Sequence, residues 1–401
     1  MYKIVIVGAG DYYKNFLSPS LNVLKKEGIC ELFATCSKEL KDLNKPDIFG
    51  SVEHVARQGN EKLSSLLSDF KSDNTVVFLN HANRFHTPDA EDLVKNGFKV
   101  MIEKPYCIDK SQFNLMKGLV KKYPGKIGLL EYGLMTKAVP LLVLAGKIKK
   151  NSFYFKKEGL LKYHKECDIF SKIKEIVGKP RFISVDYLEG EGDTGKLDHR
   201  GGYLSDLKEG GGMIQDLGIH AVSCLFAMED YIGNIDEFFK GGKVRIARCK
   251  EYVDMVKKKF KIPDKDIGET YAEIEFSTSK GVQIAVSLGK YVLNNKNQRN
   301  MVIIGSDGRV SLNLSSLVLS LASGEDLEKE VLELPKTPES KYYPVLRSTV
   351  ELLGSNNPFK FNATDAVLKT QFFILNILKK AHSGSSKINS YKKGAFPKDI
   401  I

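Results

Sequence analysis

The apolar positions of this chain fall into two regimes. Up to about residue 131, short continuous apolar runs alternate with amphipathic stretches. "YKIVIV" (2–7), "ELFATC" (31–36), "NTVVFLN" (74–80), "FKVMIE" (98–103) and "KIGLLEYG" (126–133) have the length and composition of parallel strands buried on both faces. Between them, the stretch after Gly10 opens like a helix. "TPDAEDLVKNG" (87–97) predicts another, with Thr87 as cap, Pro88 in the first turn and Gly97 at the end. Alternating strands and helices predict a doubly wound parallel sheet with its ligand at the carboxyl ends of the strands. From about residue 180 the runs are rich in β-branched residues and separated by turns. They are "PRFISVDYLEG" (180–190), "GKVRIARCKEYV" (242–253), "GETYAEIEFSTSKGVQIAVSLGKY" (268–291) and "RNMVIIGSDGRVSLNLSSLVLSL" (299–321). "STSKG" and "GSDGR" within them predict hairpin turns.

Composition narrows the picture. A length of 401 residues suits two domains, and 42% hydrophobic with 27% charged residues describes a soluble globular chain. No apolar segment approaches the roughly 20 residues needed to cross a bilayer, so no membrane partner is expected. The apolar N-terminal run ends in a glycine turn without a cleavage pattern and predicts a first strand, not a leader. The six cysteines form no C-x-x-C pair, so neither a zinc ribbon nor a dithiol site is suggested, and reduced thiols in a cytoplasmic protein are the default expectation. The net charge of +12 comes from scattered lysines. It predicts a solvated basic surface that favours anionic small ligands, with no nucleic-acid partner.

The chemistry starts at "VGAGDYY". Gly8 and Gly10 after the first strand make a tight turn that aims backbone N–H groups and a helix N-terminus at one point, a physical site for a pyrophosphate. Tyr13 stands where a third small residue would pack helix on strand, so the two must pack less closely or the helix must tilt. After the second strand, Ser37 and Lys38 stand where an acidic residue would bind the adenosine ribose. Small polar and basic groups there lean toward NADP(H) over NAD. The candidate cofactor set is Gly8, Gly10, Asp11, Tyr12, Ser37, Lys38, Asn80, His81, Glu103 and Lys104.

"IEKP" puts Lys104 at the carboxyl edge of the sheet. A lysine there can polarise a substrate oxygen, or it can be a surface lysine beside a turn proline. Further on, "EGGGMIQDLGIH" (209–220) places Asp216 and His220 four apart, on one face of a helix. That spacing serves proton transfer, metal ligation or plain packing; no third ligand is supplied, so no metal is expected.

The glycine turn, the E-K-P motif and the G-G-G-x-x-x-D-x-G-x-H motif together resemble the Gfo/Idh/MocA oxidoreductases, named for glucose-fructose oxidoreductase and inositol dehydrogenase. The likeness is clear over 1–135 and 175–230. It implies an α/β fold: an N-terminal Rossmann dinucleotide-binding domain over 1–131, then an α+β domain over 132–401 with a large, mostly antiparallel open sheet. In the family one face of that sheet usually makes a subunit interface, so a homodimer or homotetramer is expected. The family's lysine and histidine act in proton transfer, and its aspartate binds substrate or orients the histidine. Carried over, these are Lys104, His220 and Asp216, acting on a sugar, cyclitol or sugar derivative, nucleotide sugars included. Imidazole titrates near working pH, as a proton carrier for alcohol oxidation must. Arg200, upstream of the motif, either meets an anionic substrate group or is solvated.

The pattern departs from the family at about 136–176, where a helical insertion with a basic, aromatic middle is expected. Its reading is open between an active-site cover, a phosphate contact on the substrate and a dimer contact. A dinucleotide-binding regulatory protein of the same fold is the alternative to an enzyme, and the retained Lys104 and His220 argue against it.

Overall fold

The computed structural model describes residues 1–10, 13, 17–37, 53–59, 61–131, 173–190, 202–293, 297–316, 318–323, 328–333, 342–353, 363–383 and 388–392. The chain divides into two compact units, Met1–Thr136 with Thr337–Leu368, and Lys137–Lys336 with Lys369–Ile401. The helical insertion expected at about 136–176 lies almost wholly outside the described residues.

The first unit is built on six parallel strands: β1 (Tyr2–Val7), β2 (Cys30–Ser37), β3 (Glu53–Ala56), β4 (Thr75–Leu79), β5 (Lys99–Ile102) and β6 (Ile127–Leu129), in the order β3-β2-β1-β4-β5-β6. Strand order reverses between β1 and β4, the switch point at which a Rossmann sheet binds its dinucleotide. Ile4, Val5 and Ile6 are fully buried, and so is every residue of β4. The continuous apolar runs of the sequence follow from this burial on both faces. β3 was not anticipated. Its "EHVA" is four residues long, sits at the sheet edge and is exposed at both ends, so no apolar run announces it.

One expectation about helices changes. The helix after β4 spans His86–Lys95 and Phe85, not Thr87, precedes it. The Thr87 hydroxyl instead donates to the carbonyl of Tyr106 at 2.8 Å, because Thr87 is buried inside the first turn against the E-K-P segment. After the glycine turn, Tyr13 is 1% exposed, and the helix expected there is seen among the described residues as Ser18–Lys26, with Pro19 in its first turn. The bulk at position 13 is thus accommodated inside the core.

The first unit also includes a distant segment, Thr337–Leu368. The helix Tyr343–Leu353 places Tyr343 Oη within 2.7 and 2.8 Å of the Glu27 carboxylate, and Arg347 Nη1 at 3.2 Å from it. A Cβ on Gly128 would lie 2.5 Å from Thr349 Cγ2, so β6 carries glycine where this helix crosses it.

The second unit holds a nine-stranded sheet: β7 (Pro180–Gly190), β8 (Lys243–Cys249), β9 (Tyr271–Ser277), β10 (Gln283–Leu293), β11 (Gln298–Gly305), β12 (Gly308–Asn313), β13 (Val318–Ser323), β14 (Glu328–Glu333) and β15 (Asn389–Tyr391). The order is β14-β13-β12-β11-β7-β10-β9-β8-β15, antiparallel except where β10 pairs β7 and β15 pairs β8. "STSKG" joins β9 to β10 and "GSDGR" joins β11 to β12 as hairpins. The helix Met213–Ala227, buried along most of its length, packs on β7, β9 and β10. An aromatic cluster around Phe373, with Phe226, Phe238 and Phe276 at ring-centroid distances of 5.0–5.8 Å, fastens the helix Ala363–His382 to this unit. Among the described residues no helix is long and apolar enough to cross a membrane.

Candidate active site

In the first unit the loops after β1, β2 and β4 meet. Gly8 has φ +92°, donates from its N–H to the Cys36 carbonyl at 2.9 Å, and leaves no room for a side chain: a Cβ would lie 2.4 Å from the Asn80 carbonyl oxygen. Asn80 closes the contact from its own side, donating from its backbone N–H to Val7 O (2.8 Å) and from Nδ2 to Gly8 O (3.1 Å). Gly10 is different, because among the described residues nothing lies within 4 Å of a Cβ built there. One glycine locks the turn, while the other leaves an open backbone surface that fits a phosphate group. Asp11, Tyr12 and Lys38 lie outside the described residues. Ser37 ends β2, and its carbonyl accepts from Arg57 N–H at 3.1 Å.

His81 and Asn80, both in the candidate cofactor set, also make contacts within the protein. His81 Nε2 bonds Asp89 Oδ2 at 2.6 Å, and Arg57 grips the same carboxylate with Nη1 and Nη2 at 2.6 and 2.9 Å. Burial alone would raise the Asp89 carboxyl, but the hydrogen bonds from His81 and Arg57 outweigh it and hold the group below the ordinary carboxylate value. This ion triad joins β3 to the helix after β4, and none of its contacts follows from sequence spacing.

Lys104 and Glu103 follow β5, both half-buried, and the Lys104–Pro105 peptide is cis. The Glu103 N–H donates to Leu79 O at 3.0 Å, which ties the motif to the end of β4. The helix His86–Lys95 holds the next residues: His86 Nδ1 lies 2.8 Å from Pro105 O, beside the Thr87 contact to Tyr106. The Tyr106 hydroxyl donates in turn to Leu130 O. Burial pushes the His86 imidazole down to about 3, so it stands neutral and can donate from only one nitrogen. Lys104 therefore projects from a backbone fixed on three sides.

In the second unit, "EGGGMIQDLGIH" opens the helix Met213–Ala227. Gly210 and Gly212 have φ +75° and +99°, and Gly212, the N-cap, has no side chain to cap with. Glu269, 1% exposed, does this instead: its Oε1 accepts from Ile214 N–H at 2.8 Å and its backbone carbonyl accepts from Met213 N–H at 3.1 Å. A negative charge at the positive end of the helix dipole is favourable. A Cβ on Gly211 would lie 2.6 Å from the Leu204 backbone, and one on Gly212 3.0 Å from Glu269 Oε1. These two glycines thus make room for the protein's own Leu204 backbone and Glu269 carboxylate.

Asp216 and His220 share the half-buried face of this helix, as their spacing predicts. Asp216 has a partner that the motif does not contain. Lys290 Nζ on β10 lies 2.5 Å from Asp216 Oδ2 and 3.8 Å from Glu189 Oε2 on β7. Glu189 in turn accepts from Arg299 Nη2 at 2.6 Å. Tyr187, two residues before Glu189, stacks its ring on His220 at 6.1 Å and 27°. An alternating-charge layer of Asp216, Lys290, Glu189 and Arg299 thus lies under one helix face. The sequence did carry a faint sign of it: Lys290 interrupts the apolar run of β10 between Gly289 and Tyr291, and Tyr291 takes φ +65°. Arg200 lies outside the described residues. Among them, no group of three or more His, Cys, Asp or Glu side chains is placed to hold a metal.

Comparison with known proteins agrees with this architecture. Residues 2–129 match the model of the GFO_IDH_MocA oxidoreductase family, NAD-binding Rossmann fold. No curated protein sequence matches the chain. Among solved structures, an oxidoreductase from Thermotoga maritima is 18% identical with TM-score 0.66, over 95% of this chain and 97% of that one. An aldose-aldose oxidoreductase from Caulobacter crescentus, complexed with glycerol, is 16% identical with TM-score 0.65, over 96% and 98%. The 3-ketoreductase KijD10 from Actinomadura kijaniata, in complex with NADP, is 14% identical with TM-score 0.62, over 97% and 99%. At such identities the structural likeness speaks for the fold, and the family match to the first domain speaks for the chemistry. Residues 2–129 are thus the NAD-binding Rossmann domain of the Gfo/Idh/MocA oxidoreductases, and the chain that carries it is an NAD(P)-dependent oxidoreductase.

Proposed function

We propose that this oxidoreductase moves a hydride between the nicotinamide of NADP(H) and a carbinol or carbonyl of a sugar, cyclitol or sugar derivative, nucleotide sugars included. The observation that carries the reading is the shared face of Asp216 and His220, with Asp216 held at 2.5 Å by Lys290. The names of the structural relatives, an aldose-aldose oxidoreductase and a 3-ketoreductase, support the class.

The open backbone at Gly10, flanked by Asp11 and Tyr12, would hold the pyrophosphate, with Ser37 and Lys38 toward the adenosine ribose and Glu103 near the nicotinamide side. When bound, the nicotinamide accepts or supplies the hydride. His220 takes the hydroxyl proton in the oxidation direction, and Lys104 donates a hydrogen bond to the reacting oxygen and stabilises it as its charge develops. Asp216, with its carboxylate fixed by Lys290, accepts from a neighbouring substrate hydroxyl; its rigidity orients the substrate ring. Arg200 would meet an anionic substituent. No metal enters this scheme. The protein works in the cytoplasm as a homodimer or homotetramer formed through the second unit's sheet, which light scattering on the purified chain would measure.

The test is a panel of sugars, cyclitols, sugar acids and nucleotide sugars, each with NAD and with NADP, followed by absorbance of the reduced nicotinamide. Turnover of a polyhydroxylated substrate is expected. Tight cofactor binding without any turnover would instead support a regulatory protein of this fold.

A further inference from the structure

We propose that the second unit carries an oxyanion-binding site separate from the Asp216–His220 face: a cleft at the end of β8 and β15 that takes a phosphate group on a small organic molecule. The cleft has a volume of about 640 Å³, and Arg248, Lys250, Lys265 and His382 line it together with Asp254 and Asp264. Ligand sites typically run to roughly 300–1,000 Å³, so a sugar-phosphate-sized molecule fits.

Arg248 is the decisive residue. Its side chain is only 8% exposed, yet it lacks the full set of partners that a buried guanidinium needs. Nη1 donates to the Asp264 backbone carbonyl at 3.0 Å. Nε is buried and has no hydrogen-bond partner among the described residues. Asp264, the carboxylate that comes within ion-pair range among the described residues, is 3.8 Å away, 61% exposed, and already engaged by Lys257 at 2.6 Å. Burial pushes the guanidinium below its ordinary value, with Asp264 and Glu269 compensating only in part. Buried polar groups are almost always satisfied, and a buried charge lacking its acceptors is the mark of an absent ion or ligand.

The surroundings supply the rest of a phosphate site. A guanidinium fork matches two oxygens of a phosphate, while Lys250 and Lys265 at the exposed rim add point charges. Asp254, facing the same space, suits hydroxyl groups on the organic part of the ligand. The site also touches the motif helix. His382 Nε2 lies 2.9 Å from Glu269 Oε2, and Glu269 caps the first turn of the helix that carries Asp216 and His220. A ligand against His382 therefore sits two hydrogen bonds from that turn.

The test uses full-length protein saturated with NADP, so that the dinucleotide turn is filled, and equilibrium dialysis against isotope-labelled inorganic phosphate at constant ionic strength. Saturable binding is expected, with one phosphate per chain. Arg248→Gln should abolish it while leaving reduced-cofactor fluorescence intact. Should that variant fail to fold, the exposed pair Lys250→Ala with Lys265→Ala decides, with an expected loss of affinity of roughly three- to tenfold. No saturable binding, or binding that neither set of substitutions weakens, would overturn the proposal.

Discussion

Lys290 offers the sharpest test of the second unit, because its effect can be sized before any substrate is known. Lys290→Met keeps the aliphatic stem but takes the ammonium away from Asp216 at 2.5 Å and from Glu189 at 3.8 Å. At an effective dielectric of about 20 the shorter contact is worth roughly 6–7 kcal/mol before desolvation is subtracted. Removing one partner of a fully buried pair costs about 3–5 kcal/mol, since the other charge stays behind uncompensated. Here the side chains keep 17% and 22% of their exposure, and Glu189 retains Arg299. Water therefore screens part of the effect, and about 2–3 kcal/mol remains. For a unit of this size that corresponds to a fall in Tm of roughly 4–12 °C. Differential scanning fluorimetry reads it directly, and Lys290→Arg should recover most of the loss. Released from its cation, Asp216 also loses its fixed rotamer, so kcat/KM should drop by about ten- to a hundredfold with reduced-cofactor binding unchanged. If Lys290→Met shows wild-type Tm and turnover, the charge layer does not position Asp216.

Four further outcomes are expected. Lys104→Ala and His220→Ala should each lower kcat by about a hundredfold or more with little change in cofactor affinity, as steady-state rates and cofactor fluorescence would show. Lys38→Ala should weaken NADP binding and spare NAD; equal effects on both would remove the NADP preference. Gly8→Ala combines φ +92° with a Cβ 2.4 Å from Asn80 O, and should cost about 2–4 kcal/mol in urea unfolding and abolish cofactor binding. His86 gives a pH signature. Its folded value lies near 3, below the unfolded value of about 6.5, so its stabilisation is complete above pH 6.5 and is lost as pH falls toward 3. Between pH 7 and pH 5 the loss is about 2 kcal/mol, and urea titrations of wild type and His86→Gln should differ in that slope.

Much of the fold was legible because burial on two faces leaves continuous apolar runs. β1, β2, β4 and β5 announce themselves this way, and the glycine-marked hairpins β9–β10 and β11–β12 announce themselves by their turns. β3 did not, being short, polar and at an edge. The return of Tyr343–Leu353 to the first unit rests on contacts with Glu27 and Gly128, more than two hundred residues away, which no local pattern encodes. The same limit applied at the site. Asp216 and His220 were visible because one helix carries both, whereas Lys290, Glu189 and Arg299 come from three strands that are neighbours only in the folded sheet. His382 shows it too. It had no constellation in the sequence, yet it closes a hydrogen bond to Glu269 across 113 residues.

The cap formed by Glu269 bears on engineering. Because Gly212 has no side chain, the first turn of the motif helix is finished by a carboxylate on the loop before β9, which is itself steadied by the last residue of the helix Ala363–His382. Residues 209–220 are therefore not a portable cassette. Grafted into another scaffold without counterparts to Glu269 and His382, they would bring the acid and the imidazole but leave the helix start frayed. Chimeras between relatives should exchange the motif, the loop before β9 and the closing helix as one block.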